Sequence, residues 1–269
     1  MALETTIWQV RDNDDDGEVR ALLERDRVWN SFALADLLPP FRSYARFHTA
    51  ARPGEKPSAL VLIIEHPGFT TISPFGNASG VEAILAQANL PPRALVQMTA
   101  DHRALLEAVY CPISPWREML RMAVTAQTFM PCAASEPVLH LAATDLAEIS
   151  DLYRLFPESQ FRPDLLDQGS YYGLRAHGRL CAIAGTHVVT EPFGIAVVGS
   201  VFTHPEERGK GYASMVTSAV VSGLLERGCR DVVLNVFATN TSAIGVYRRL
   251  GFQTYHHLWS GLAERHPEA

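Results

Sequence analysis

Residues able to do chemistry concentrate in one stretch, Val201-Phe-Thr-His-Pro-Glu-Glu-Arg-Gly-Lys-Gly-Tyr-Ala213. A strand pattern ends at Thr203, a proline turn follows, and a helical pattern opens within Arg208-Gly-Lys-Gly-Tyr-Ala213. The first amides of a helix lack intrahelical acceptors, and the helix start carries about half a positive charge, so several N–H groups meet there in a concave anion site. Gly209 and Gly211 have no Cβ and let the backbone close on a bulky phosphate, and Arg208 and Lys210 can add side-chain charge to a pyrophosphate. The same glycines would also serve a plain strand-to-helix turn. Two familiar phosphate loops do not fit: a dinucleotide-binding G-x-G-x-x-G needs glycine where Ser214 stands. A Walker-type G-x-x-x-x-G-K-[ST] needs glycine at His204 and Ser or Thr at Gly211.

The elements around this stretch follow from hydrophobic period and turn chemistry. Tyr212, Met215, Val216, Ala219, Val220, Gly223 and Leu224 recur at i, i+3, i+4, i+7, which is a helix stripe for packing on a sheet, and Gly228 supplies its stop. Gly194 to Thr203 reads as the strand before it and Asp231 to Phe237 as the strand after. A short helix, Thr241 to Leu250, is then stopped by Gly251 ahead of a last strand, Phe252 to Trp259. Upstream lie a strand Val138 to Ala142, a helix Thr144 to Phe156 with Thr144 as N-cap, a weaker helix Gln160 to Gln168, and a hairpin of Tyr171 to Ala176 with Leu180 to Val189. The segment Met130 to Pro137, small and proline-containing, divides the chain nearly in half. Before it, Glu18 to Asp26, Gly80 to Ala88 and Asp101 to Tyr110 read as helices. Ser43 to Thr49, Ala59 to Glu65, Thr70 to Ser73, Ala94 to Met98 and Arg117 to Val124 read as strands. Both halves give a similar order, so the expectation is two copies of one mixed α/β (α+β) fold, each a largely antiparallel sheet flanked by helices, over residues 1–134 and 135–269.

Composition narrows the partners. The 269 residues are 47% hydrophobic and 19% charged, which supplies a full core. A net charge of -6 lacks the basic surface that phosphate-backbone binding needs, so no nucleic acid partner is expected. No apolar run reaches the roughly 18 residues of a membrane span, and Met1 to Val10 leads into an acidic run without a signal-like core, so a cytoplasmic, membrane-free protein is expected. Cys111, Cys132, Cys181 and Cys229 form no C-x-x-C pair, and no metal or disulfide is expected.

The stretch Arg208-Gly-Lys-Gly-Tyr-Ala213 resembles the [RQ]-x-x-G-x-[GA] loop of the GNAT superfamily of acyl-CoA-dependent N-acetyltransferases. The resemblance extends to Val-x-Thr-x-Pro before it, Leu234-Asn-Val236 on the next strand, and Asn240-x-x-Ala243-x-x-x-Tyr247-x-x-x-Gly251-Phe252 beyond. It covers about residues 136 to 260 and looks most like a glycine N-acyltransferase-like branch found as tandem modules. It implies a GNAT fold and acetyl-CoA (coenzyme A) as co-substrate. It further implies that the fourth and fifth strands of the fold splay so that pantetheine pairs with backbone of Val201, Phe202 and Thr203. The pyrophosphate would rest on Arg208, Gly209, Lys210, Gly211, Tyr212 and Ala213, and further contacts would come from Asn235, Asn240, Ser242, Ala243 and Tyr247.

The implied reaction transfers an acetyl or other short acyl group to a primary amine of a small molecule or peptide. Tyr247, with a reference pKa near 10, is the expected general acid for the leaving thiolate. An oxyanion would be held by N–H donors near Val201. The strand Gly194 to Thr203 has no ionisable residue, so the base candidates are His187, Glu191, His256 and His257. A catalytically silent acyl-CoA sensor shares the same loop and is separated from an enzyme only by turnover. The first half has no such loop at Pro74 to Gly80 and is expected to wall an acceptor cleft between the domains. A homodimer is compatible with the sequence.

Overall fold

The computed structural model describes residues 7–267 except 157–160, 162, 164 and 169. In chain order the strands are β1 (Gln9–Asp12), β2 (Ala45–Ala51), β3 (Ala59–His66), β4 (Phe69–Gly76), β5 (Arg93–Met98), β6 (Tyr110–Pro112) and β7 (Arg117–Val124). They continue with β8 (Val138–His140), β9 (Tyr172–Ala176), β10 (Arg179–Thr190), β11 (Ile195–Thr203), β12 (Asp231–Phe237) and β13 (Gln253–Arg265). The α-helices are α1 (Asp16–Leu23), α2 (Ser31–Ala35), α3 (Ala78–Gln87), α4 (Ala100–Val109), α5 (Leu146–Tyr153), α6 (Leu165–Gln168), α7 (Tyr212–Glu226) and α8 (Thr241–Arg249).

The chain forms two compact units, residues 1–120 with 256–269, and residues 121–255. In the first, β1, β2, β3 and β4 pair antiparallel in sequence, α3 carries the chain over to β5, and β5 runs parallel to β4. The chain's last strand then closes this sheet, with Trp259↔Met98 through Glu264↔Arg93 antiparallel. Ala59, Val61, Ile63, Ile72, Val81, Ile84, Val96 and Met98 make its core. The reading that ended the last strand at Trp259 is therefore too short, and its continuation belongs to the first unit.

The second unit repeats the pattern. β8, β9, β10 and β11 pair antiparallel, α7 is the crossover, and β12 lies parallel to β11, with Arg121–Val124 of β7 beside β12. Each unit is a mixed, largely antiparallel sheet with helices on its faces, as expected from the element order. The division falls at 120/121 and 255/256, away from the Met130–Pro137 segment, because each sheet takes its closing strand from beyond that segment. Two local readings change. The helix start assigned to Thr144 is a 3-10 turn, Ala143–Asp145, whose Asp145 carboxylate accepts from the Ala142 amide at 2.9 Å. The helix expected over Gln160 to Gln168 lies partly outside the described residues, and its described part is the single turn of α6.

Candidate active site

β11 is buried along Ile195–Val198 and feeds a turn that ends in two left-handed glycines, Gly209 at φ +81° and Gly211 at φ +83°. Such φ values strain any residue with a Cβ, and the chain meets the demand with glycine. Gly211 is the N-cap of α7 and supplies no side-chain cap. The Ser214 and Met215 amides both return to the Gly211 carbonyl, at 2.9 and 3.2 Å. The Tyr212 and Ala213 amides precede these first intrahelical bonds, so they belong to the orphan set of the helix start. Among the described residues, and leaving out its chain neighbours, no atom lies within 4 Å of a Cβ placed on Gly209, and only Met215 Cε, at 3.8 Å, approaches one on Gly211. The result is an open concavity of backbone donors at the positive end of a 15-residue helix.

The neighbouring cations are already engaged. Lys210 Nζ meets Glu207 Oε2 at 2.7 Å, and the Glu207 side chain is 5% exposed. The hydrogen bond between them raises the Lys210 ammonium and lowers the Glu207 carboxyl. Arg208 lays its guanidinium 5.9 Å from the Phe202 ring centroid and donates from Nε to the Thr203 carbonyl at 3.4 Å. The Lys210 charge is thus offset by Glu207, whereas Arg208, bonded to a neutral carbonyl, keeps its full charge beside the backbone donors.

The β11–β12 ladder runs from Ile195↔Asp231 to Val198↔Leu234 and stops, although β11 continues to Thr203 and β12 to Phe237. Beyond Val198 the facing edges of the two strands are unpaired, and a free strand edge can pair with an extended chain. On its other side β11 stays paired, Phe202 with Ile183 and Thr203 with Ala182. Thr203 Oγ1 is buried without a hydrogen-bond partner among the described residues. Between Gly199 and Phe202 the register slips by one, a β-bulge, and Ser200 takes φ +54°. Tyr153 donates its hydroxyl to the Ser200 carbonyl, and Tyr171 donates to the Thr186 carbonyl at 3.0 Å while lying 3.5 Å from Ser200 Oγ. These two tyrosines and the bulge were missed in the sequence. The signal available was Gly199-Ser200 inside an otherwise apolar strand.

Tyr247 is 7% exposed on α8, with Phe252 edge-on at 5.8 Å, and burial pushes its hydroxyl up to about 12. It therefore holds its proton throughout the neutral range. Asn240 caps α8 with Oδ1 accepting from the Ala243 amide at 3.1 Å, which leaves its Nδ2 donors outside the cap. Ser242 is exposed in the first turn. Asn235, on the unpaired end of β12, accepts at Oδ1 from buried Arg121 Nε at 3.0 Å. Of the base candidates, Glu191 is bound by Arg227 at 2.9 Å. His256 and His257 sit in the first unit, against Asp26 at 3.2 Å and Glu118 at 2.7 Å. His187 alone of the four stands at the bulge, packed against Gly199. Among the described residues no three His, Cys, Asp or Glu gather to hold a metal.

The first unit has the same parallel step but a closed one. β4 passes into α3 through Asn77 alone, whose side chain accepts from the Gly80 amide at 3.2 Å and so caps the helix start. The β4–β5 ladder has two pairs, Thr71↔Leu95 and Ile72↔Val96. Beyond it His102, 4% exposed, bonds through Nε2 to the Gly76 carbonyl at 3.0 Å, occupying an acceptor at the end of β4.

A profile of the acetyltransferase (GNAT) family matches residues 138–252. The match is confined to this segment of the second unit. The chain is 31% identical over 145 residues to a mycothiol acetyltransferase of Saccharomonospora viridis, an alignment covering 49% of this chain and 46% of that protein. It thus spans about half the length of this curated relative. In fold it is similar to a Drosophila protein, with TM-score 0.69, 15% identity, and 97% and 99% of the two chains covered. It is also similar to a tandem GNAT protein from the clavulanic acid biosynthesis pathway, with TM-score 0.54, 12% identity, and 96% and 98% covered. The matched segment contains the uncapped helix start, the split ladder and the bulge.

Proposed function

We propose that the GNAT domain binds acetyl-CoA as substrate and transfers its acetyl group to a primary amine of a small molecule or peptide. The observation that carries this reading is the uncapped start of α7 beside the end of the β11–β12 ladder. One accepts a pyrophosphate and the other an extended amide-bearing arm, which are the two parts of coenzyme A. The open space at Gly209 and Gly211, which a Cβ would fill, and the orphaned Thr203 hydroxyl fit such a ligand.

The chain's groups have distinct tasks. The amides of Gly209 through Ala213 hold the diphosphate, and the free edges of Val201 to Thr203 and of Asn235 align the arm. The bulge turns the backbone at Ser200–Val201 so that an N–H there can stabilise an oxyanion. Tyr247 offers its proton to the departing sulfur. Its pKa near 12 lies above the 8.5 of a free thiol, but the same burial raises a thiolate's proton affinity and narrows that gap. The net charge of -6 favours a cationic acceptor.

Calorimetry with acetyl-CoA, followed by thiol release against a panel of alkyl amines and peptides with free α-amines, tests the reading. Binding with amine-dependent thiol release is the expected result. Absence of heat with acetyl-CoA overturns it, and binding without any turnover reduces the domain to an acyl-CoA sensor.

A further inference from the structure

We infer that His187 is the base that takes the proton from the acceptor ammonium, an assignment that rests on the transferase reading above. Gly185 and Gly199 pair directly across β10 and β11, so Cβ atoms on them would point to one sheet face. A Cβ on Gly185 would collide with the Tyr171 ring, and one on Gly199 with the His187 ring. The two rings therefore lie side by side over this glycine pair. His187 is itself the extra residue of a second register slip, between Thr186 and Val188, one step from the slip that makes the Ser200 bulge. Tyr171 packs into the cluster of Ile149, Leu152 and Leu165, which fixes this as the α5–α6 face. The next residue, Tyr172, points to the other face, where α7 brings Gly223 against its hydroxyl. The imidazole thus stands at the bulge, on the face opposite α7.

Among the described residues, Tyr153 of α5 and Tyr171, just before β9, bring their phenols to the same two bulges through the Ser200 and Thr186 carbonyls. β11 contributes no titratable group, and the Glu191–Arg227 ion pair lies at the hairpin end. In the step, imidazole removes one proton from R–NH3+ and passes it to solvent. The nitrogen lone pair forms the N–C bond and the C–S bond breaks. Tyr247 protonates the thiolate and is reprotonated through water by the second nitrogen proton, giving the amide, HS-CoA and one H+.

The test compares wild type, H187Q and H187A with the best alkyl amine of the panel across pH, with acetyl-CoA binding and the His187 imidazole NMR signal measured alongside. At neutral pH H187Q should lose about 100-fold in kcat/KM. The loss should shrink at pH values where the amine is itself neutral, acetyl-CoA affinity should hold, and added imidazole should restore part of the H187A rate. The His187 signal, assigned by its absence in H187Q, should move on adding acetyl-CoA. Unchanged rate and pH profile in H187Q, or an unmoved signal in a wild type that binds acetyl-CoA, overturns the assignment while leaving the transferase reading standing. A wild type that fails to bind acetyl-CoA overturns both.

Discussion

Replacing Gly211 with alanine separates the phosphate cradle from a mere turn. The site has φ +83°, and a Cβ there meets nothing closer than Met215 Cε at 3.8 Å, so the folded cost is backbone strain alone, about 1–2 kcal/mol. In a chain of this size that lowers Tm by roughly 2–8 °C. Gly228, at the other end of the same helix, has the same φ of +83° and nothing within 4 Å of its Cβ position, so Gly228→Ala incurs an equal strain away from the site. Only Gly211→Ala puts a methyl where the proposed diphosphate would sit on the amides. Losing one charge-assisted hydrogen bond costs about 1.5–3 kcal/mol, which converts to a rise of roughly 10- to 150-fold in Kd for coenzyme A. Calorimetry on both variants, with thermal melts beside it, reads the two effects independently. Equal melts with a Kd raised only in Gly211→Ala are expected. A Gly211→Ala protein that binds coenzyme A like wild type, or a Gly228→Ala protein weakened as much, would refute the placement of the ligand.

Other outcomes follow from single contacts. Tyr247→Phe should lower kcat by about 100-fold with acetyl-CoA affinity unchanged, read by steady-state kinetics and calorimetry, and an unchanged kcat removes the general-acid role. Asn77→Ala, which deletes the α3 cap, should lower stability by about 1 kcal/mol without touching coenzyme A binding. Burial pushes the Asp36 carboxyl up to about 7 from 3.8, so the folded state holds its proton more tightly than the unfolded chain and stability falls as pH rises from about 4 to 7. Asp36→Asn should therefore raise Tm over wild type more at pH 8 than at pH 4.5, and equal shifts at both pH values would discount the burial. A fragment of residues 135–269 should fail to fold alone, since it lacks Arg121–Val124 beside β12 and carries the strand from His256 without β5. A reversible, cooperative melt of that fragment would contradict this.

The loop Arg208–Ala213 was legible in the sequence because its causes are local: two glycines for left-handed φ, and an apolar stripe at helical spacing directly after them. The closing strand was not, because its partner β5 lies some 160 residues earlier and Ser260, Gly261, Glu264 and Arg265 dilute its strand pattern. β1 and β6 are short, and β1 carries Gln9, Arg11 and Asp12, so neither gives an apolar alternation to read. Lys210 offered charge by type, but its salt bridge to Glu207 depends on Glu207 being buried in the turn, which spacing alone does not reveal.

The two units sharpen the point. Their strand order and their antiparallel-then-parallel pairing agree, yet one enters its crossover helix through Asn77 and the other through the segment 204–211. In the first, the asparagine carboxamide accepts from the Gly80 amide, and His102 donates from Nε2 to the Gly76 carbonyl, so one donor at the helix start and one acceptor at the strand end are satisfied within the chain. In the second, the longer entry ends in a residue with no side chain, and the same class of amides is left for a ligand to satisfy. On the proposed function, the difference between the units lies at one strand-to-helix junction and not in the fold, which both units share. It follows that shortening 204–211 to a single asparagine-led turn should leave the second sheet intact while abolishing coenzyme A binding. A shortened variant that melts like wild type and still binds would show that the strand edges alone hold the ligand.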